Sequence, residues 1–338
     1  MSDFVTKGSV DRRRWLWLAG TVILIALLPM LLGHSAYWRS LMITCALNIM
    51  LALSLNLILG YTGQLNLGHS AFYAIGAYMS TVLVKTAGWN FWLAMLCGSL
   101  AAGLFGVLLA FFAGRLRGHY LGIASLGFGV ITYQVLMNWM SVTQGPLGIY
   151  AIMPPPAIGF GAVTIDFGNQ QNLFYLIAAM AVAVFVVLGN ILRSPVGETL
   201  RAVREDEVSA ASLGIDPKIW KIFAFGLGGA IAGLAGALYP SFIGTLVPDA
   251  FSITESFSML AMVIVGGIGT TIGPVIGAVV LTLLPELLRG IGDLRLLAYG
   301  ILLTLVVLFM PGGIVQAFGV LKVRRKNAAA RAVQGVNP

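Results

Sequence analysis

Apolar runs long enough to cross a hydrocarbon core of about 30 Å recur along almost the whole of this 338-residue chain. They fall near 15–33, 40–59, 65–84, 91–113, 119–139, 173–192, 220–240, 256–268, 271–288 and 296–310. Hydrocarbon offers the backbone no hydrogen-bond partners, so such runs have to satisfy themselves as helices. The expected fold class is therefore all-α: a polytopic transmembrane helical bundle of about ten spans. Run 256–268 is short, and 271–288 follows it after a Gly-Thr break. The pair can also be read as one span plus a re-entrant piece, so eight or nine spans stay open. Only 9% of residues are charged, against about 25% in soluble domains.

The formal net charge of +8 is a topology signal rather than a nucleic-acid footprint, because the basic residues lie at the ends and in short loops. With the N-terminus inside, the inner segments hold 16 of the 20 Lys and Arg residues, and the outer ones hold only Arg39, Lys85, Arg289 and Arg295. The positive-inside rule then places both termini in the cytoplasm. Three parts follow: a basic N-terminus (1–14), a membrane domain (15–310) and a basic tail (311–338) suited to anchoring on anionic lipid or stopping transfer. Trp15–Gly33 reads as a span, not a cleavable signal. Cys45 and Cys97 sit inside apolar runs as small hydrophobes.

One stretch breaks the apolar pattern. Arg193–Lys221 gathers ten charged residues, and about Pro195–Ser212 reads as a helix with an approximate apolar stripe of Leu200, Val203, Val208 and Ala211. Gly214 and Pro217 stop it, and Asp216 before the proline is a cap signal. Two readings are open: a solvated linker, or a docking element for a soluble partner.

Gly60–Ser70, GYTGQLNLGHS, interrupts two apolar runs with polar side chains. Tyr61, Thr62, Gln64, Asn66 and His69 should face protein or water, not lipid, and broken spans of this kind line transport pathways. These five are the candidate pathway residues, against the alternative of a tight inner turn; His69 alone reads more simply as a structural, hydrogen-bonded group. A second glycine break, Gly266–Pro274, has a similar setting, and both lead into a Gly-Ala step (Gly76-Ala77, Gly277-Ala278), a weak internal repeat. Small-residue stripes such as Gly229-x3-Gly233 and Gly269-x3-Gly273-x3-Gly277 specify close helix packing. Glu286 and Arg289 are spaced to pair. Ser141–Asn172, rich in Gly and Pro with Asp166 its one charge, reads as an ordered outer cap with a short amphipathic piece.

The sequence has no GxxxxGK[ST] phosphate loop, HExxH, GxSxG elbow or Cys/His cluster. No catalytic residue, metal site or bound cofactor is expected, and any ATP must be hydrolysed by another chain.

The residues resemble permease subunits of ABC importers for branched-chain amino acids, of the LivM type. The matching stretches are GYTGQLNLGHSAFYAIGAY (60–78), RLRGHYLGIASLGFG (115–129), GPLGI (145–149), LRAVREDEVSAASLGIDPKIWKIFAF (200–225), GLAGALY (233–239), VIVGGIGTTIGPVIGA (263–278) and MPGGI (310–314). Glu198 departs from the pattern, where relatives commonly carry a basic residue. The resemblance implies a bacterial inner-membrane protein that pairs with a LivH-type sister permease, two cytoplasmic ATP-binding subunits and a periplasmic substrate-binding protein. It also implies that Arg201, Arg204, Glu205, Asp206, Glu207, Ser212 and Gly214 form the loop that docks on the ATPase. Permeases for urea and short-chain amides are similar, so the substrate stays open between these classes. An ion-coupled secondary transporter would need acids within the spans, where the sequence offers Glu286 near one end. A membrane assembly subunit would need no substrate path.

Overall fold

The computed structural model describes residues 35–288 except 115, 117, 161 and 162, together with 300, 301, 304, 308 and 312–315. The expected first span, most of the last, the basic segments at both ends and Arg289 lie outside the described residues. The helices are α1 (Ala36–Thr62), α2 (His69–Lys85), α3 (Phe91–Ala113), α4 (His119–Asn138), α5 (Gln170–Ile191), α6 (Pro195–Glu205), α7 (Glu207–Ser212), α8 (Pro217–Ile243), α9 (Ile253–Gly266) and α10 (Gly273–Leu287).

Six segments among the described residues are long and apolar enough to cross a membrane: α1, α3, α4, α5, α8 and Pro248–Gly266. That is fewer than the ten apolar runs. Two of those runs lie outside or mostly outside the described residues, and two others form the short helices α2 and α10. Each of these follows a glycine break, and α2, at 17 residues, rises only about 26 Å.

Side-chain chemistry sets the helix starts. Asn90 and Asn169 accept from the backbone N–H groups of Trp92 and Gln171. Ser194 and Asp216, each followed by proline at the first helical position, cap α6 and α8, an arrangement in which the missing proline donor costs nothing.

The core forms around α8, which packs along α3, α2 and α1. Hydrophobic burial does not drive helices together in lipid, so backbone approach carries the packing. A Cβ on Gly76 would overlap the carbonyl of Gly233, and one on Gly236 would overlap that of Tyr73. α9 and α10 form an antiparallel hairpin in which Gly266 meets Gly273 and Gly277 meets Met262. The stripes read from sequence thus mark real contacts, and the two short helices are separate arms joined at Gly267–Ile272.

The cap over one end is not helical throughout. Beyond single turns at Met140–Thr143 and Gly145–Leu147, it carries an antiparallel hairpin, β1 (Ile158–Phe160) with β2 (Val163–Ile165). Ile149 pairs with Leu246 across the bundle end, and Lys85 Nζ donates to Tyr150 O at 2.6 Å. The all-α expectation holds for the bundle, and this hairpin is the exception among the described residues.

Candidate functional site

Three features converge at the end of the bundle opposite the cap. The first is the break after α1. Gly63 ends the helix in the left-handed region (φ +70°), and residues 63–68 then run back into the bundle before α2 begins. His69 Nε2 lies 2.7 Å from Ser54 Oγ, eight residues before the end of α1, so the return climbs about 12 Å. Helix α2 therefore starts inside the protein, not at its surface.

The polar groups of this return are buried and mostly satisfied. Asn66 accepts from Gly68 N (3.0 Å), and its Nδ2 lies 3.2 Å from His69 Nδ1. Asn66 Nδ2 donates, so Nδ1 accepts and the Nε2–H tautomer donates to Ser54, whose hydroxyl donates to Leu51 O at 2.8 Å. Thr62 Oγ1 donates to Ile58 O and Gln64 Nε2 to Thr62 O. Gln64 Oε1 is buried with no hydrogen-bond partner among the described residues, an unusual state for a polar atom. Gly68 packs against the Ser125 carbonyl with no room for a side chain. Ser70 N donates to Ser256 Oγ at 2.9 Å. Tyr61, Thr62, Gln64, Asn66 and His69 are thus all buried in one segment; among them Asn66 and His69 bond side chain to side chain, and Gln64 bonds to the Thr62 backbone.

The second feature is the break between α9 and α10, which the fold lays against the first. Asn56 grips its backbone with both ends of the amide: Oδ1 accepts from Gly269 N and Nδ2 donates to Thr270 O, each at 2.9 Å. Tyr61 Oη lies 3.2 Å from Thr271 Oγ1.

The third is the charged stretch. It forms two helices, not the single helix expected over Pro195–Ser212. Asp206 breaks it with extended backbone (φ −157°, ψ 115°) and caps α7, accepting from Ser209 N at 2.6 Å. The apolar stripe breaks there too: Leu200 and Val203 are buried, but Val208 and Ala211 face outward. Arg204 Nη1 donates to Gly60 O, and its aliphatic stem lies against Gly63. The Arg201 guanidinium sits 5.4 Å from the centre of the Tyr61 ring, a cation–π distance. Glu207 pairs with the buried Lys221 at 2.7 Å, fastening α7 to α8. Glu205, Asp206, Ser212 and Gly214 are exposed. Gly214 has φ +84° and open space where a side chain would stand, and its neighbours Val208 and Leu213 are 66% and 78% exposed.

Toward the capped end lies a cavity of about 460 Å³ between α1, α2, α8, α9 and α10, lined by Asn48, Tyr73, Tyr239, Glu255 and Ser258 among others. None of the five candidate pathway residues lines it. Glu255 is a functional candidate that the sequence reading missed, because the apolar run was counted from 256. Ser252-x-x-Glu255 carries the spacing of a capping box, a signal that marks the helix start. Ser252 nevertheless makes no side-chain cap bond. Among the described residues, no three His, Cys, Asp or Glu side chains gather as a metal set.

A multi-pass helical membrane protein with interrupted spans, buried polar junctions and a charged helix pair on one end is the architecture of a solute permease. The chain belongs to the family described as branched-chain amino acid transport system / permease component, whose model matches residues 16–311. It is 34% identical over 304 residues to the high-affinity branched-chain amino acid transport system permease protein LivM of Escherichia coli K12, covering 85% of this chain and 71% of that protein. It is 24% identical over 240 residues to the probable branched-chain amino acid transport permease protein LivM of Methanocaldococcus jannaschii, covering 66% and 67%. The LivH permease protein of E. coli K12 is also similar, 26% identical over 270 residues with 75% and 85% covered.

Proposed function

We propose that this chain is the LivM-type membrane subunit of an ATP-driven importer, moving branched-chain amino acids inward by alternating access. Urea or a short-chain amide is the alternative cargo. In this reading the chain sits in a bacterial inner membrane with about ten spans and both termini cytoplasmic. It pairs with a LivH-type sister permease and receives substrate from a periplasmic binding protein. ATP is hydrolysed by two cytoplasmic partner subunits, and the chain itself binds no cofactor. Similarity to both LivM and LivH supports a paired permease.

The observation that carries the mechanism is the bond from Arg204 to Gly60 O. It joins the helix pair α6–α7 to the point where α1 ends and, through Asn56 and Tyr61, to the α9–α10 break. A partner that pulls on the exposed edge of Glu205, Asp206, Ser212 and Gly214 pulls on both junctions together. The buried return from Tyr61 to His69 is then the part of the pathway that opens inward, with the orphan Gln64 carbonyl acquiring a partner in the other state. ATP-dependent uptake of leucine by the reconstituted importer tests this. Glu205→Lys and Gly214→Trp are each expected to abolish uptake while the permease stays inserted. Normal uptake in both would remove the docking assignment.

A further inference from the structure

The cavity toward the capped end has the composition of a ligand site. Its volume, about 460 Å³, lies within the ~300–1,000 Å³ of small-molecule pockets, which combine apolar walls with a few placed polar groups. Leu47, Met262 and Leu281 supply a buried aliphatic wall. Glu255 is the one acid in the lining. Its carboxylate has no hydrogen-bond or ion-pair partner among the described residues, and it is not engaged as a helix cap. An acid within the depth of a membrane bundle is costly unless it meets a cation. The first turn of α9 favours its negative charge but supplies no counter-ion.

We propose that Glu255 binds the ammonium group of an aliphatic amino acid whose side chain lies against Leu47, Met262 and Leu281. This rests on the permease reading and adds to it a subsite within this subunit. The adjacent Tyr73, Tyr239 and Asn48 offer hydroxyl and amide groups to the polar end of the same ligand. The site favours a primary ammonium attached to a short aliphatic chain; urea or an acetamide-like solute can donate an N–H to Glu255 but brings no positive charge to pair with it.

The test is equilibrium binding of radiolabelled leucine to the purified importer complex without its binding protein. Isopentylamine, which keeps the ammonium, is expected to compete, and 4-methylpentanoate, which lacks it, is not. Glu255→Gln is expected to weaken leucine binding by about tenfold to a hundredfold, the loss of a charge-assisted hydrogen bond, and to erase the discrimination between the two competitors. Glu255→Asp should fall between, and Leu281→Trp, which fills the cavity, should abolish binding should Glu255→Gln fail to assemble. Unchanged binding in Glu255→Gln or Leu281→Trp, equal competition by both analogues, or no leucine binding by the wild type would overturn the subsite. The permease reading fails by a different result: no ATP-dependent leucine uptake by the complete wild-type importer.

Discussion

Arg204 donates from its guanidinium to the backbone carbonyl of Gly60, joining two residues 144 positions apart. Gly60 lies in the last turn of α1, where carbonyls lack partners within the helix. The arginine therefore occupies a site the helix leaves open, and it does so from an element outside the bundle core. Hydrogen bonds to a charged group contribute about 1.5–3 kcal/mol, enough to bias which arrangement of the junction is populated. Arg204→Ala is expected to insert normally and to reduce uptake at least about tenfold while ATP hydrolysis continues. The ratio of solute moved to ATP hydrolysed in proteoliposomes measures it, and a ratio equal to wild type would remove Arg204 from the coupling path.

The Lys221–Glu207 pair makes a prediction about stability. Lys221 keeps 3% of its side-chain exposure and Glu207 23%. Breaking a fully buried pair costs about 3–5 kcal/mol, and the water reaching Glu207 lowers that to about 1–3 kcal/mol. Lys221→Ala is expected to lower the unfolding temperature and to expose the α7 turn to protease. A double change to Lys221→Met and Glu207→Leu should recover much of the loss, because apolar replacement of a buried pair is often neutral. Thermal unfolding in detergent reads both.

Two glycines separate close packing from backbone conformation. Gly76 lies against the carbonyl of Gly233, so Gly76→Val is expected to abolish assembly of α2 on α8, seen as loss of folded protein. Gly214 lies in open space but at φ +84°, where a β-branched residue is strained by about 1–2 kcal/mol. Asparagine tolerates that region. Gly214→Asn should therefore fold normally. If it also takes up leucine normally, the glycine serves only the turn; loss of uptake with folding intact means that a partner approaches the bare backbone there.

Much of this architecture is legible in the apolar pattern, because the solvent enforces it. Run 91–113 became Phe91–Ala113 and 119–139 became His119–Asn138, since a lipid-facing helix ends where its apolar residues end. The failures arise where a local choice is not about lipid. Residues 65–68 open the expected run 65–84, yet they form a non-helical return held by Asn66 and Ser125, a tertiary matter that periodicity does not record. Glu205-Asp206-Glu207 reads as continuous helix, but the Asp206 side chain prefers to cap α7, and that break turns Val208 outward. Within the site, the polar break was visible as composition. Its meeting with Gly269–Thr271, more than 200 residues away, was not.

Gln64 and Asn66 were singled out together, and the structure separates them. Asn66 uses its carbonyl for Gly68 N and its amide for His69, both fully buried. Asn66→Leu would strand a backbone N–H and a ring nitrogen, each costing about 1–3 kcal/mol. Its expected result is a fall in stability along with any fall in uptake. Gln64 gives only one bond, to the neighbouring Thr62 O at 3.2 Å, and its Oε1 already lacks a partner among the described residues. Gln64→Leu removes that orphan, so its stability should stay within about 1 kcal/mol of wild type or rise. A loss of uptake in Gln64→Leu at unchanged unfolding temperature therefore reports a role in the moving pathway, where the carbonyl finds a donor in another state or in the solute. Unchanged uptake would make Tyr61–His69 a packing element whose polar groups serve only to hold the start of α2 inside the bundle.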